Sequence, residues 1–177
     1  MPLNKEILKP FTDNDIYIET GMFCGESLRA ALDVGFEKVI SIEICEKYFN
    51  LVSIKFAADP RVTLVLGSSA DKLDAIIKAI DEPITFFLDA HGFGGIGGPA
   101  PSCPLMTELD IISRHPKIKT HTILIDDFQA FGKPRDGMIL IVEDAVREAL
   151  LKINPDYSIY SIPSSRKPDD ILVAEIK

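Results

Sequence analysis

Apolar side chains recur along this chain in two alternating rhythms. Short runs rich in Ile, Val, Leu and Phe, each bounded by polar or turn-forming residues, predict seven strands at 16–19, 39–43, 62–66, 84–88, 122–125, 157–161 and 171–176. Between them the spacing changes to that of helices. Leu28, Ala31 and Leu32 fall on one helical face that stops at Gly35, and segment 45–58 ends before Pro60. Ser68, three residues before Asp71, resembles a capping box and opens a helix carrying Leu73, Ile76, Ile77 and Ile80. Pro104 suits the first turn of a helix bearing Leu105, Leu109 and Ile112, and another carries Ile139, Val142, Val146 and Leu150 before Asn154 and Pro155. The run at 84–88 is almost wholly apolar, as expected of a central strand covered on both faces.

Alternation of strand and helix predicts a mostly parallel seven-stranded sheet in a three-layer α/β sandwich. The link at 163–170 is too short for a crossover helix, so the last two strands should form an antiparallel hairpin. No repeat or linker divides residues 1–177, and one domain is expected.

Composition narrows the function classes. A net charge of -8 opposes broad attraction to nucleic acid or anionic lipid. No apolar stretch approaches the ~20 residues of a membrane span, so a cytoplasmic protein acting on a small molecule is expected. Cys24, Cys45 and Cys103 are odd in number and far apart, which suggests buried thiols and neither disulfides nor zinc.

In open parallel sheets ligands bind beyond the carboxyl ends of the strands. After the first strand comes Glu19-Thr20-Gly21-Met22-Phe23-Cys24-Gly25, where two glycines let backbone approach a ligand at a helix N-terminus. Glu43 ends the second strand, at a position where a carboxylate can accept both hydroxyls of a ribose. Ser68 and Ser69 follow the third strand and offer hydroxyls to an adenine edge, although helix capping would also explain a serine there. Asp89, Asp126 and Asp127 follow the fourth and fifth strands; three neighbouring carboxylates call for a neutralising partner, for which a hard divalent cation is a candidate. His91 lies two residues beyond Asp89 and is a candidate general base. His115 and His121 read as structural. The glycine-rich stretch 92–101 and segment 128–137, with Phe128 and Phe131, are candidate lid segments flanking the crevice.

Over residues 16–131 these motifs resemble the class I S-adenosylmethionine-dependent methyltransferases, whose fold is Rossmann-like. Glu19 to Ser27 is most similar to the Glu-x-Gly-x-x-x-Gly-x-Ser motif of the metal-dependent catechol and caffeoyl-CoA type O-methyltransferases. The resemblance implies that Glu19, Thr20, Gly21, Phe23, Gly25 and Ser27 line the methionine part of S-adenosyl-L-methionine. It places the ribose on Glu43 with Ile44 beside it, the adenine at Ser68 and Ser69, and Asp89 near the cofactor. Asp89, Asp126 and Asp127 would be the ligands of a Mg2+ ion that orients the acceptor; Asp89 and, from its position alone, His91 are the expected catalytic groups.

Two departures matter. The family's catalytic lysine is missing, since Gly92 follows His91, and Asp127 replaces the usual Asn. Only residues 1–15 precede the first strand, where the family has helices walling the acceptor site, so that site is expected to be open or completed by a second copy in a homodimer. O-methylation of a small or carbohydrate-like acceptor is the leading expectation. The alternatives are a non-catalytic S-adenosylmethionine-binding module and an NAD-dependent oxidoreductase, the latter disfavoured because Gly-x-Gly-x-x-Gly is absent.

Overall fold

The computed structural model describes residues 3–90, 103–115, 119–133 and 140–177. Seven strands, β1 (Ile16–Thr20), β2 (Lys38–Glu43), β3 (Val62–Leu66), β4 (Ile84–Leu88), β5 (Thr122–Ile125), β6 (Ser158–Ile162) and β7 (Ile171–Glu175), form one sheet in the order β3-β2-β1-β4-β5-β7-β6. The first five are parallel. β7 runs antiparallel to both β5 and β6, which confirms the expected hairpin and places its second strand inside the sheet.

Period-two alternation along buried strands sends successive side chains into two separate cores. Ile18, Ile42, Phe86 and Leu88 pack beneath Leu73, Ile77, Leu109, Val146 and Leu150 of α4 (Ser69–Ile77), α5 (Leu105–Ser113) and α6 (Glu143–Ile153). Tyr17, Val39 and Phe87 pack against Leu28, Ala31, Val52 and Phe56 of α2 (Glu26–Val34) and α3 (Glu46–Phe56). Burial on both faces explains why β1 and β4 lack polar alternation.

The chain winds outward in opposite directions from β1 and β4, which lie side by side. Their carboxyl ends therefore form the switch point at which such sheets leave a crevice. Residues before β1 pack against α2 and β4. Asn4 caps α1 (Lys5–Leu8) by accepting the Ile7 N–H at 3.0 Å, Leu3, Leu8 and Phe11 join the α2 core, and Thr85 Oγ1 donates to the Phe11 carbonyl at 3.0 Å. This segment packs along α2, with residues 3–6 beside Glu26 and Arg29, and reaches the start of β4 at Thr85.

Several local expectations are corrected. Ser68 precedes α4 as its N-cap residue, but its side chain makes no capping bond. Val142 stands before α6 in extended backbone and is half exposed, while Ile139 lies outside the described residues. Pro104 precedes the first turn of α5 instead of lying within it. The three cysteines are free and only partly buried. His115 and His121 are buried and bonded within the core: His115 Nε2 lies 2.9 Å from the Ile77 carbonyl, and His121 Nδ1 accepts the Ile84 N–H at 3.1 Å. Among the described residues no helix is long and apolar enough to cross a membrane.

Candidate functional site

The parallel ladder continues one residue past the strands and sets four turns level with one another. Asp89 N–H donates to Thr20 O at 3.0 Å, Gly21 N–H to Ile42 O at 2.8 Å, Gly67 N–H to Glu43 O at 2.8 Å and Asp126 N–H to Leu88 O at 3.1 Å. Gly21 has φ +85°, and a Cβ there would lie 2.5 Å from the Asp89 carbonyl oxygen. Only glycine lets the β1 turn pass this close to the end of β4.

Glu43 ties the next turn together. Its Oε2 accepts the Phe23 N–H at 3.1 Å and its Oε1 accepts the Cys45 N–H at 2.7 Å. The first bond holds Phe23 at φ +44°, a left-handed conformation that a non-glycine residue adopts only under constraint. Each carboxylate oxygen keeps a further acceptor site, so the group can still receive hydroxyls. Phe23 and Ile44, about half exposed, and Leu66 beside them leave an apolar surface next to that carboxylate. The Phe23 ring also leans on Tyr48, with centroids 4.5 Å apart.

Glu19 points the other way. It faces the α2 side, fully buried, and accepts Ser41 Oγ at 2.7 Å and Tyr17 OH at 3.2 Å. Burial raises its pKa to about 7, with the hydroxyls of Ser27, Ser41 and Tyr17 opposing the rise and the charge of Glu43 adding to it. Glu19 therefore ties β1 to β2 beneath the turn, through Tyr17 and Ser41. Thr20 and Ser69 are likewise buried, on the opposite face, while Ser68 is half-buried beside Gly67.

Beyond β4 and β5, Asp89 and Asp126 meet. Burial raises both carboxyls, Asp126 to about 6 and Asp89 well above its ordinary range, and the neighbouring aspartate charges add to this. Asp127, at φ +55°, instead pairs with Lys167 at 3.5 Å, and Lys167 also reaches Asp170 at 3.5 Å. Lys167 belongs to the turn between β6 and β7, and no periodicity in the sequence pointed to it. Asp127 is thus tied to a cation, while its charge still acts on Asp89 and Asp126. Among the described residues no three His, Cys, Asp or Glu side chains are grouped to hold a metal ion.

His91 and residues 92–101 lie outside the described residues, as does 134–137 of the second lid segment. Phe131 is buried in the core and Phe128 meets it edge-on, centroids 5.4 Å apart, so these rings anchor their segment instead of overhanging the crevice. One buried residue near the turns went unnoticed in the sequence. Glu108 on α5 is fully buried, within reach of Ser69 and Thr20.

No known family model matches this chain, and no curated protein matches it in sequence. Solved structures do. An O-methyltransferase from Bacillus cereus in complex with SAH aligns over 98% of this chain and 78% of its own, with TM-score 0.67 and 16% identity. The O-methyltransferase TomG from Streptomyces achromogenes, in complex with SAM, aligns over 98% and 77%, with TM-score 0.58 and 15% identity. The chain shares their Rossmann-like methyltransferase fold. Spermidine synthase from Thermotoga maritima also aligns, over 94% of this chain and 55% of its own, with TM-score 0.59 and 13% identity. The fold therefore positions a crevice without choosing the group transferred.

Proposed function

We propose that the chain binds S-adenosylmethionine along the carboxyl ends of β1, β2 and β3 and transfers its methyl group to an oxygen of a small acceptor. The observation that carries this reading is Glu43: a carboxylate with spare acceptor sites, locked onto the Gly21–Phe23 turn and flanked by exposed Phe23 and Ile44. A ribose diol is a natural partner for the carboxylate, and a purine face for the apolar surface. Gly21 keeps the turn open for the methionine part, and the amides at the start of α4 offer donors to the adenine edge.

The bound cofactor would supply an electrophilic methyl on a sulfonium, which needs in-line positioning more than strong acid or base help. The acceptor O–H exchanges its proton for the methyl, and the proton passes to a protein group. The carboxyl pair at the ends of β4 and β5 is the proposed acceptor, through Asp126, which is raised only to about 6 and so keeps a vacant site at neutral pH, while Asp89 is held well above its ordinary range. His91, next but one to Asp89, is proposed as the second candidate base.

Magnesium does not fit the arrangement described, because Asp127 is paired with Lys167 and no three ligating side chains are grouped among the described residues. No step is routed through a metal. The acceptor is proposed to be small or carbohydrate-like, its site completed by a second copy of the chain, and the protein to be cytoplasmic. Incubation with labelled S-adenosylmethionine and a panel of catechols, phenols and sugars tests the proposal. Label transfer that continues in chelator supports it, and cofactor binding without transfer to any acceptor would instead favour the non-catalytic module, for which the absent lysine after His91 speaks.

A further inference from the structure

The turn between β6 and β7 lies on the same edge of the sheet as the crevice, because β7 starts opposite the end of β5, with Leu172 paired to Ile125. It closes on Ser164. The Ser164 N–H donates to the Lys167 carbonyl at 2.9 Å, and its Oγ accepts the amides of Arg166 and Lys167, each at 3.1 Å. The same hydroxyl donates to Asp170 Oδ2 at 2.8 Å. Two bonds fasten the turn to the segment after β5: the Phe128 N–H donates to the Asp170 carbonyl at 2.8 Å, and Gln129 Nε2 to the Pro168 carbonyl.

This frame sets one ammonium between carboxylates of two different segments. Lys167 Nζ lies 3.5 Å from Asp127 Oδ1 and 3.5 Å from Asp170 Oδ1. A solvated ion pair would contribute little, but Asp170 is only 2% exposed and its Oδ1 makes no hydrogen bond among the described residues. A buried carboxylate oxygen in that state needs a compensating charge, and Lys167 supplies it. The same cation then meets Asp127, next to Asp126 at the end of β5.

We infer that Lys167 takes the place of a divalent cation at this edge: the β6–β7 turn delivers a tethered ammonium to Asp127, which shuts out a metal ion and leaves the acceptor to be held without chelation. Orienting an acceptor on a metal draws on two adjacent oxygens; without that, the need for a vicinal diol falls away, and an acceptor with a single hydroxyl serves as well as a catechol. This consequence deepens the methyl transfer proposed above and rests on it, whereas the exclusion of metal does not.

The test measures Mn2+ binding by electron paramagnetic resonance in the unmodified protein, Lys167→Arg, Lys167→Gln, Lys167→Met and the double variant Lys167→Gln/Asp127→Asn. Gln keeps a donor for Asp170 and Met keeps the stem, and circular dichroism checks that each variant is folded. The unmodified protein and Lys167→Arg should bind Mn2+ with Kd of about 1 mM or weaker. Loss of the charge in Lys167→Gln and Lys167→Met should tighten binding at least about tenfold, and Asp127→Asn should cancel the gain. Tighter binding by the unmodified protein, no gain in the folded variants, or failure of both to fold would overturn the inference, the last by leaving Lys167 a structural ion pair alone. With labelled S-adenosylmethionine, phenol and catechol should be methylated at comparable rates; transfer to catechol alone would overturn the consequence for the acceptor. No transfer to either would sink the functional reading, while the Mn2+ arm still decides the role of Lys167.

Discussion

Gly21→Ala is the perturbation whose size can be worked most directly from the structure. The added Cβ would stand 2.5 Å from the Asp89 carbonyl oxygen, 2.9 Å from its carbon and 3.1 Å from the Ala90 Cα, all backbone atoms that cannot swing aside. The end of β1 or of β4 must move. The left-handed backbone at φ +85° adds ~1–2 kcal/mol and the enforced shift another ~1–3 kcal/mol, while the stiffer unfolded chain returns under ~1 kcal/mol. Gly35→Ala is the control, because Gly35 has φ +106° but nothing within 4 Å of its Cβ. It carries the backbone cost without the clash. Gly21→Ala should therefore lose about 2–4 kcal/mol, roughly 5–15 °C in Tm for a chain of this size, against about 1 kcal/mol for Gly35→Ala. Thermal and urea unfolding followed by circular dichroism measure both. Equal destabilisation of the two variants would refute the close approach of the β1 turn to β4, and with it the geometry of the switch point.

Glu43→Ala removes the acceptor of the Phe23 and Cys45 amides and should cost ~1.5–3 kcal/mol of S-adenosylhomocysteine affinity by calorimetry; unchanged affinity would take Glu43 out of the site. Glu19 and Glu108 each have a folded pKa of about 7, above the ordinary 4.5, so the folded protein holds protons that the unfolded chain has released. Their contribution to stability is then greatest below about pH 4.5 and falls as pH rises through about 7; urea titrations from pH 5 to 8 should show the decline, and Glu108→Gln should flatten it. A slope unaltered in Glu108→Gln would contradict that assignment. Asp127→Asn should spare methyl transfer, since its pairing with Lys167 lies outside the Asp89–Asp126 pair, whereas transfer abolished by chelator would restore the metal reading.

The middle strands were legible because their cause is local. Residues 62–66, 84–88 and 122–125 are apolar runs with abrupt polar ends, and they coincide with β3, β4 and β5. Tyr157 misled by one residue: its ring is buried and its hydroxyl donates to the His121 carbonyl at 2.7 Å, yet it stands just before β6. Glu43 could be read from its place at the end of an apolar strand. The inward direction of Glu19 depended on which face of β1 meets α2, a tertiary choice that the motif does not express. Glu108 had a signal that went unused, a charged residue three positions after Leu105 inside an apolar helical stripe. Lys167 had none, because its partner Asp127 is brought to it only by the return of β7 beside β5.

The central claim, that the Gly21–Phe23 turn and Glu43 hold an adenosine-bearing cofactor, is tested most directly by a crystal structure of the protein soaked with S-adenosylhomocysteine. The ribose hydroxyls should lie on the Glu43 carboxylate, with the purine against Ile44. A ligand bound elsewhere, or no ligand density at millimolar concentration, would contradict it.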